Sequence, residues 1–380
     1  MAQFRILILG GYGLFGGRIV AALADDPAFT LIVAGRDTER ASRFVADLGE
    51  PRALIEVATL DTTAATFDGQ LAELRPDIVI DTAGPFQARD YRVAEAALAI
   101  GAHCIDLADG RAYVSGIGTL DAPARTANRR VVSGASSMPG LNAAVVAALR
   151  PRFSTLESVE TAISPGNRTA RGWATMLAIL GYVGKPYRVL HDGQWQVAHG
   201  WQSLRRIRIE NVGTRWAARC EVPDLDVLPT RYPELRTVEF RAGLELWRMH
   251  FGLWLGSLAV RFGPLRSLLP FARPLFALSE RWQNIGSDVG VMQVVLHGRG
   301  HDGGPLTLTW TLVARDGHGP QIPATAAVLL ARKLARGELT GSGATACIDL
   351  FTLDEFLLEL AGYAMQASLE EQHDTFRRAN

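Results

Sequence analysis

Three glycines with the spacing Gly11-x-Gly13-x-x-Gly16 follow directly on an apolar run, Phe4–Leu9. Between a strand and a helix, that spacing makes a tight turn, lets backbone approach a pyrophosphate closely, and packs the helix onto the strand. A helix beginning near Leu14 then turns its N–H groups and positive dipole end towards phosphates. The stretch Gly10, Gly11, Tyr12, Gly13, Leu14, Phe15 and Gly16 is thus a candidate dinucleotide site, with a purely structural turn as the alternative. The second apolar run ends in Ala34-Gly35-Arg36-Asp37. An NAD-binding chain usually carries an acid at this strand end to hold ribose hydroxyls. Here, twenty residues beyond Gly16, stands Arg36. A guanidinium pairs with a 2′-phosphate and stacks on adenine, which favours NADP over NAD. Asp37 reads as the N-cap of the next helix. Asp61 closes the third strand, and is either within reach of the adenine amino group or a solvated turn residue. Ala83, Gly84 and Pro85 follow the fourth strand, and their small size admits a nicotinamide ribose and ring; a strand terminator with a proline turn is the plainer reading.

Hydride transfer needs an electrophilic carbon held against the nicotinamide and a proton donor on the heteroatom side. Polar residues after the fifth and sixth strands are the candidates: Asp106 and Asp109 as acid or cation partner, Arg111 as carboxylate clamp, and Ser136, Ser137 and Asn142 as polar contacts. A capping or turn role competes with catalysis at each. Arg168 and Arg171 precede a helix start near Trp173, where they bind an acidic substrate or form a solvated helix end. Lys185 and Lys333 are the only lysines, and neither has a tyrosine four residues earlier, so a Tyr-xxx-Lys reductase is disfavoured. His103, on a strand, reads as a packed core residue. His297 and His301 lie in a Gly-rich loop with no accompanying carboxylate motif, so no metal site is expected. A serine hydrolase is disfavoured because no Gly-x-Ser-x-Gly elbow is present.

These residues need a scaffold, and the first 135 positions supply its pattern. The runs Phe4–Leu9, Leu31–Ala34, Ile55–Leu60, Ile78–Asp81, His103–Leu107 and Arg130–Ser133 alternate with helical spacings at Arg18–Ala24, Glu39–Leu48, Ala64–Leu74 and Tyr91–Ile100. Such alternation predicts a doubly wound, six-stranded parallel sheet with helices on both faces. Beyond Pro151 the period changes to two, at Leu156–Ser164, Tyr187–Leu190, Leu204–Glu210, Val238–Phe240, Val289–His297 and Leu306–Arg315. This predicts half-buried antiparallel strands, the last two joined through Gly298–Pro305. Helices are expected at Ala324–Leu334 and Leu353–Tyr363. The expected domains are 1–145, binding NADP; 146–320, mixed α/β; and 321–380, helices returning to the first domain.

Residues 244–278 are apolar and aromatic but interrupted by Arg248, Arg261, Arg266 and Arg273 and by Pro264, Pro270 and Pro274. A membrane span with those arginines is costly. Buried helices, a homodimer interface or a peripheral membrane contact are the three readings. Lys+Arg and Asp+Glu both number 39 in 380 residues, which gives no net charge to attract nucleic acid. Cys104, Cys220 and Cys347 are far apart, the N-terminus reads as a strand rather than a signal peptide, and the expected setting is cytoplasmic.

The motifs Gly10–Gly16, Ala34–Asp37, Asp81–Phe86, 101–110 and 133–142, in this order, resemble the saccharopine dehydrogenase-like family, and 164–177 is similar to its oxidoreductase-like branch. The resemblance implies an NADP-binding Rossmann domain, a mixed α/β domain, and hydride transfer to or from C=N, C=C or C=O bonds of a small-molecule substrate. A nucleotide-binding regulator without catalysis is the alternative.

Overall fold

The structure, a computed structural model, describes residues 4–373. The chain first alternates strand and helix: β1 Phe4–Leu9, α1 Gly16–Leu23, β2 Phe29–Gly35, α2 Thr38–Ala46, β3 Leu54–Thr59, α3 Phe67–Leu74, β4 Ile78–Asp81, α4 Arg92–Ala99, β5 His103–Asp106, α5 Arg111–Gly116, α6 Asp121–Thr126 and β6 Arg130–Ser133. A second unit then runs through α7 Asn142–Leu149, β7 Phe153–Ser164, α8 Trp173–Tyr182, β8 Pro186–His191, β9 Gln194–His199, β10 Gln202–Ile209, β11 Gly213–Arg219, α9 Asp224–Arg231, β12 Thr237–Ala242, α10 Trp247–Phe262, α11 Ala272–Arg281, β13 Gly290–Gly300 and β14 Pro305–Ala314. The chain ends with α12 Gln321–Ala335, β15 Gly343–Ala346, α13 Leu353–Glu359 and β16 Met365–His373. By internal contact, Met1–Leu141 and Pro320–Glu359 form one unit, and Asn142–Gly319 with the segment from Leu360 forms the other.

The first unit is a parallel sheet in the order β15-β6-β5-β4-β1-β2-β3. Its inner strands are covered on both faces, so they read as continuous apolar runs: Ile6, Leu7 and Ile8 are all fully buried. The strand order reverses between β1 and β4, where open α/β sheets bind ligands beyond their carboxyl ends. The sheet has seven strands rather than the expected six. The extra one, β15, consists of Gly343, Ala344, Thr345 and Ala346, too small to give an apolar signal, and it pairs with β6. α12 lies beside α1, with Arg332 Nη2 donating to Ala22 O at 2.8 Å.

The second unit holds a mixed sheet in the order β10-β11-β12-β7-β13-β14-β16, with β8 and β9 branching from β12. The expected all-antiparallel pattern fails at one place: β7 and β12 are parallel, because the chain makes a long excursion between them. The β13/β14 ladder continues to Arg299 and Pro305, so the connection is tighter than 298–305 suggests. The last segment also departs from expectation. α13 stops at Glu359, and Met365–His373 is an edge strand on β14 in the second unit, not a helix on the first. The 244–278 segment forms α10, a short 3-10 turn at Leu269–Phe271, and α11. It is not buried core, since Trp247, Leu255, Phe262, Leu269, Phe271 and Leu278 are exposed. Among the described residues, no helix is long and apolar enough to cross a membrane.

Candidate functional site

The glycine turn joins β1 to α1, and its geometry leaves little room for side chains. Gly10 has a φ of +74°, a left-handed conformation that suits glycine. A Cβ on Gly16 would collide with the Gly10 carbonyl and lie 2.8 Å from Thr82 Oγ1. Gly13 N donates to Gly10 O at 2.8 Å and closes the turn. Among the described residues, the N–H groups of Leu14 and Phe15 have no backbone partner, as the first amides of a helix do not. The helix begins at Gly16, two residues later than the sequence predicts. Thr82, at the end of β4, fixes the turn by donating its hydroxyl to Leu9 O at 2.7 Å. It lies inside the Asp81–Phe86 motif, but only the fold makes it a contact of the turn. Tight backbone, free amides and a helix start form a cradle that fits the pyrophosphate of a dinucleotide.

Beside the turn, the end of β2 carries opposed charges in different roles. Asp37 Oδ1 accepts from Arg40 N at 3.0 Å and caps α2, so its carboxylate is engaged in the helix start. Its own N–H donates to the Tyr12 hydroxyl at 3.0 Å. The Tyr12 ring lies across Gly35, where a Cβ would strike it. The Arg40 guanidinium sits 5.4 Å from the centre of that ring, a cation–π contact absent from the sequence reading. Arg36 is exposed. Asp61 Oδ1 accepts from Thr63 N at 2.9 Å and from Thr63 Oγ1 at 2.8 Å. These bonds hold its carboxyl below the ordinary value, and the charge of Arg36 adds to them.

The carboxyl ends of β4, β5 and β6 are tied to one another. Asp106, at the end of β5, receives three bonds on Oδ1: from Ala108 N, Ser133 Oγ and Gly134 N, each at 2.9 Å. Its Oδ2 has no hydrogen-bond partner and the residue is buried. Burial pushes its pKa up to about 7 against the pull of those donors, and the neighbouring Asp81 adds to the rise. Asp81 is buried too, with Arg89 Nη1 3.0 Å from its Oδ2, and burial still raises its pKa. Arg89 also donates to Ala83 O at 2.8 Å, which braces the Ala83-Gly84-Pro85 loop. Exposed Asp109 accepts from Gln87 Nε2 at 2.9 Å. Arg111 opens α5, and Ser137 opens a wide helical turn after β6, where it is buried. One edge of the first unit thereby gathers the glycine turn, Ala83–Pro85, Asp106, Asp109, Arg111 and Ser137.

His103 starts β5 at the opposite end of that strand. Its Nδ1 accepts from Arg130 N at 2.9 Å, and burial with Arg129 and Arg130 lowers its pKa to about 4, so it stays neutral.

Three predicted residues, Asn142, Arg168 and Arg171, fall in the second unit, where exposed Arg168 donates through Nε to Gly286 O at 2.8 Å. Asn142 is buried between Asp224, to which its Nδ2 donates at 2.6 Å, and Thr161, whose Oγ1 donates to its Oδ1 at 2.9 Å. Asp224, missed in the sequence, is buried with an unpartnered Oδ2, and burial pushes its pKa up to about 7. Arg171 is not a free cation for a substrate. It donates to Ser279 O at 2.8 Å and to Asn167 O at 2.7 Å, tying its loop to α11. Beneath that loop, Glu245 accepts from Asn167 N, Ser287 N and Ser287 Oγ and faces Arg215 at 3.3 Å. Residues so distant in sequence leave no local signal of this network. Among the described residues, no group of three His, Cys, Asp or Glu is placed to hold a metal ion.

Residues 6–138 match the family model described as the saccharopine dehydrogenase NADP binding domain. This bears out the family resemblance of the motifs over the nucleotide-binding domain. The apo form of saccharopine dehydrogenase (L-Glu forming) from Saccharomyces cerevisiae aligns over 97% of this chain and 100% of its own, with a TM-score of 0.68 and 14% identity. An amine dehydrogenase from Mycobacterium smegmatis aligns over 93% of this chain and 95% of its own, with a TM-score of 0.49 and 12% identity. At such identities the likeness is one of fold, which the alignment with the first structure carries. No curated protein matches the sequence significantly.

Proposed function

From the premise that residues 6–138 match the saccharopine dehydrogenase NADP binding domain model, we propose that this chain is an NADP-dependent oxidoreductase. It transfers hydride to or from a C=N, C=C or C=O bond of a small-molecule substrate. The observation that carries the reading is the glycine turn set beside a strand end whose acid is already engaged. Asp37 caps α2, so Arg36 is the charge left to meet the adenosine ribose.

In this reading the backbone of Gly10, Gly11, Tyr12, Gly13, Leu14, Phe15 and Gly16 holds the pyrophosphate. Arg36 pairs with the 2′-phosphate, and the Tyr12 ring with Arg40 walls the adenosine side. Asp61 accepts from the adenine amino group with the oxygen that Thr63 leaves open. Ala83, Gly84 and Pro85 border the nicotinamide. The bound nicotinamide supplies or accepts the hydride. Asp109, exposed at the same edge, gives the substrate heteroatom its proton on reduction and takes it back on oxidation. Arg111 pairs with a substrate carboxylate, and Ser137 adds a polar contact. Asp106 is a positioning residue: through Ala108, Ser133 and Gly134 it holds the loops that carry these groups. Asn142 and Arg171 serve the second unit's own structure. A reducing, cytoplasmic setting agrees with three buried free cysteines.

The test is calorimetric titration with NADPH and NADH, followed by NADPH oxidation with amine–carbonyl pairs and enones. NADPH binding at least tenfold tighter than NADH, with turnover of one substrate class, supports the proposal. NADPH binding without turnover points to a nucleotide-sensing regulator. Failure of both nucleotides to bind overturns the reading.

A further inference from the structure

Residues 246–279 contain no Asp or Glu but four arginines, Arg248, Arg261, Arg266 and Arg273, in a chain whose 39 basic and 39 acidic residues balance only when these four are counted. The same stretch exposes large apolar side chains. On α10, Trp247 is 62%, Leu255 59% and Phe262 72% exposed. At about 100° per residue, these three fall within an arc of about 80° on one side of the helix. Other sides are covered: His250 and Ser257, about 60–80° beyond Trp247, are fully buried, and a Cβ on Gly256, about 100° beyond Leu255, would meet Leu268 at 2.8 Å. The outward apolar arc therefore does not belong to the core of its unit. Arg248 lies 5.5 Å from the Trp247 ring centre and Arg261 4.5 Å from that of Phe262, so the arc has a cation near each end. Leu269, Phe271 and Leu278 continue the exposed apolar surface along the connecting turn and α11.

We propose that the outward face of α10, with the turn and α11 that follow, docks on an anionic lipid surface. α10 lies in the plane of the interface, its apolar arc among the upper acyl chains and its arginines at the headgroup phosphates. The helix is too short to span a bilayer, and cations at both ends favour the flat orientation. The charge also argues against a second copy of this chain. A two-fold interface sets a surface against itself, and here it would oppose four arginines with Glu280, near the end of α11, as the one exposed acid on these helices to pair them.

The experiment is co-sedimentation of the full chain with vesicles of phosphatidylcholine alone or mixed with phosphatidylglycerol, at low and high salt. The expected result is binding to the anionic vesicles, at least tenfold weaker on neutral ones and weakened by salt. Trp247→Ser with Phe262→Ser should abolish it. Arg248→Gln, Arg266→Gln and Arg273→Gln should each reduce it about fivefold. All these positions are exposed, and thermal melting checks that the variants fold. Absence of binding to anionic vesicles, equal binding to neutral ones, or binding indifferent to these variants overturns the proposal. A concentration-dependent dimer that the Trp247/Phe262 variant abolishes, without vesicle binding, assigns the face to a second copy instead.

Discussion

Asp81 and Asp106 are register partners on adjacent parallel strands, each closing its strand with a buried carboxyl group. Arg89 faces the first at 3.0 Å, whereas the second relies on neutral donors alone. Burial raises the pKa of both carboxyls, and at Asp106 the consequence can be measured in stability.

Asp106 titrates at about 7 when folded, against 3.8 for an ordinary Asp. Between those values the folded chain holds a proton that the unfolded chain has released. Its stabilisation is thus complete below pH ~4 and is lost as pH rises towards 7. Asp106→Asn keeps an acceptor for the same three donors and removes the titration. The stability of the wild type relative to this variant should fall by up to ~1.4 kcal/mol per pH unit between pH 4 and 7. A difference that stays flat across that range, measured by urea denaturation, would contradict the assignment.

Arg36→Asp should weaken NADPH by about 10- to 100-fold, the scale of a lost charge-assisted contact, and NADH far less. Equal losses for the two nucleotides, read by calorimetry, would remove the 2′-phosphate role. Asp37→Ala should cost about 1 kcal/mol of stability through the lost cap, and leave the preference between nucleotides unchanged.

Gly16→Ala places a methyl group against the Gly10 carbonyl and Thr82. Nucleotide affinity should fall by more than tenfold while far-UV circular dichroism stays native. Gly13→Ala meets only Gly10 O, at 3.0 Å, and should be milder. If Gly13→Ala proves the more damaging of the two, the close approach is wrongly located.

Asp109→Asn should lower kcat at least tenfold with little change in NADPH affinity, because the carboxyl touches no part of the glycine turn. An unchanged kcat would transfer the proton to another donor.

Arg171→Met removes bonds to Asn167 and Ser279 carbonyls while keeping much of the apolar stem. We expect a loss of roughly 1–3 kcal/mol, seen as a lower Tm, with KM unaffected. A raised KM at unchanged stability would restore Arg171 as a substrate contact.

The parallel sheet was legible because strands covered on both faces need continuous apolar runs, and the glycine spacing was legible because backbone crowding admits few alternatives. β9, Gln194–His199, and β16, Met365–His373, were hidden for the opposite reason. Both do alternate, through Trp195 and Val197 and through Met365, Ala367 and Leu369, but the apolar members are few and Trp195, Val197 and Leu369 are exposed, so the alternation does not mark a core face. Asp106 and Asp109 looked equivalent three positions apart, yet only the fold shows one sealed beneath its loops and the other exposed. At Asn142 and Arg171 the fold adds bonds within their own unit that the sequence does not show, because a polar side chain there reads the same whether it meets a ligand or braces its surroundings. Asp224 had no signal at all, since its partner Asn142 comes from α7, 82 residues earlier in the chain.

β15 adds a further consequence. The first unit is closed by residues that the ribosome delivers late, because about 180 residues of the second unit are made between Leu141 and Pro320. At roughly 5–20 residues per second, the nascent sheet waits about 10–40 s with the β6 edge bare and the α1 surface lacking α12. A fragment ending at Leu141 would keep that edge permanently open to pairing with other chains. Expression of the nucleotide-binding unit by itself therefore calls for a splice that joins Leu141 to Pro320 through a short linker, rather than a stop codon.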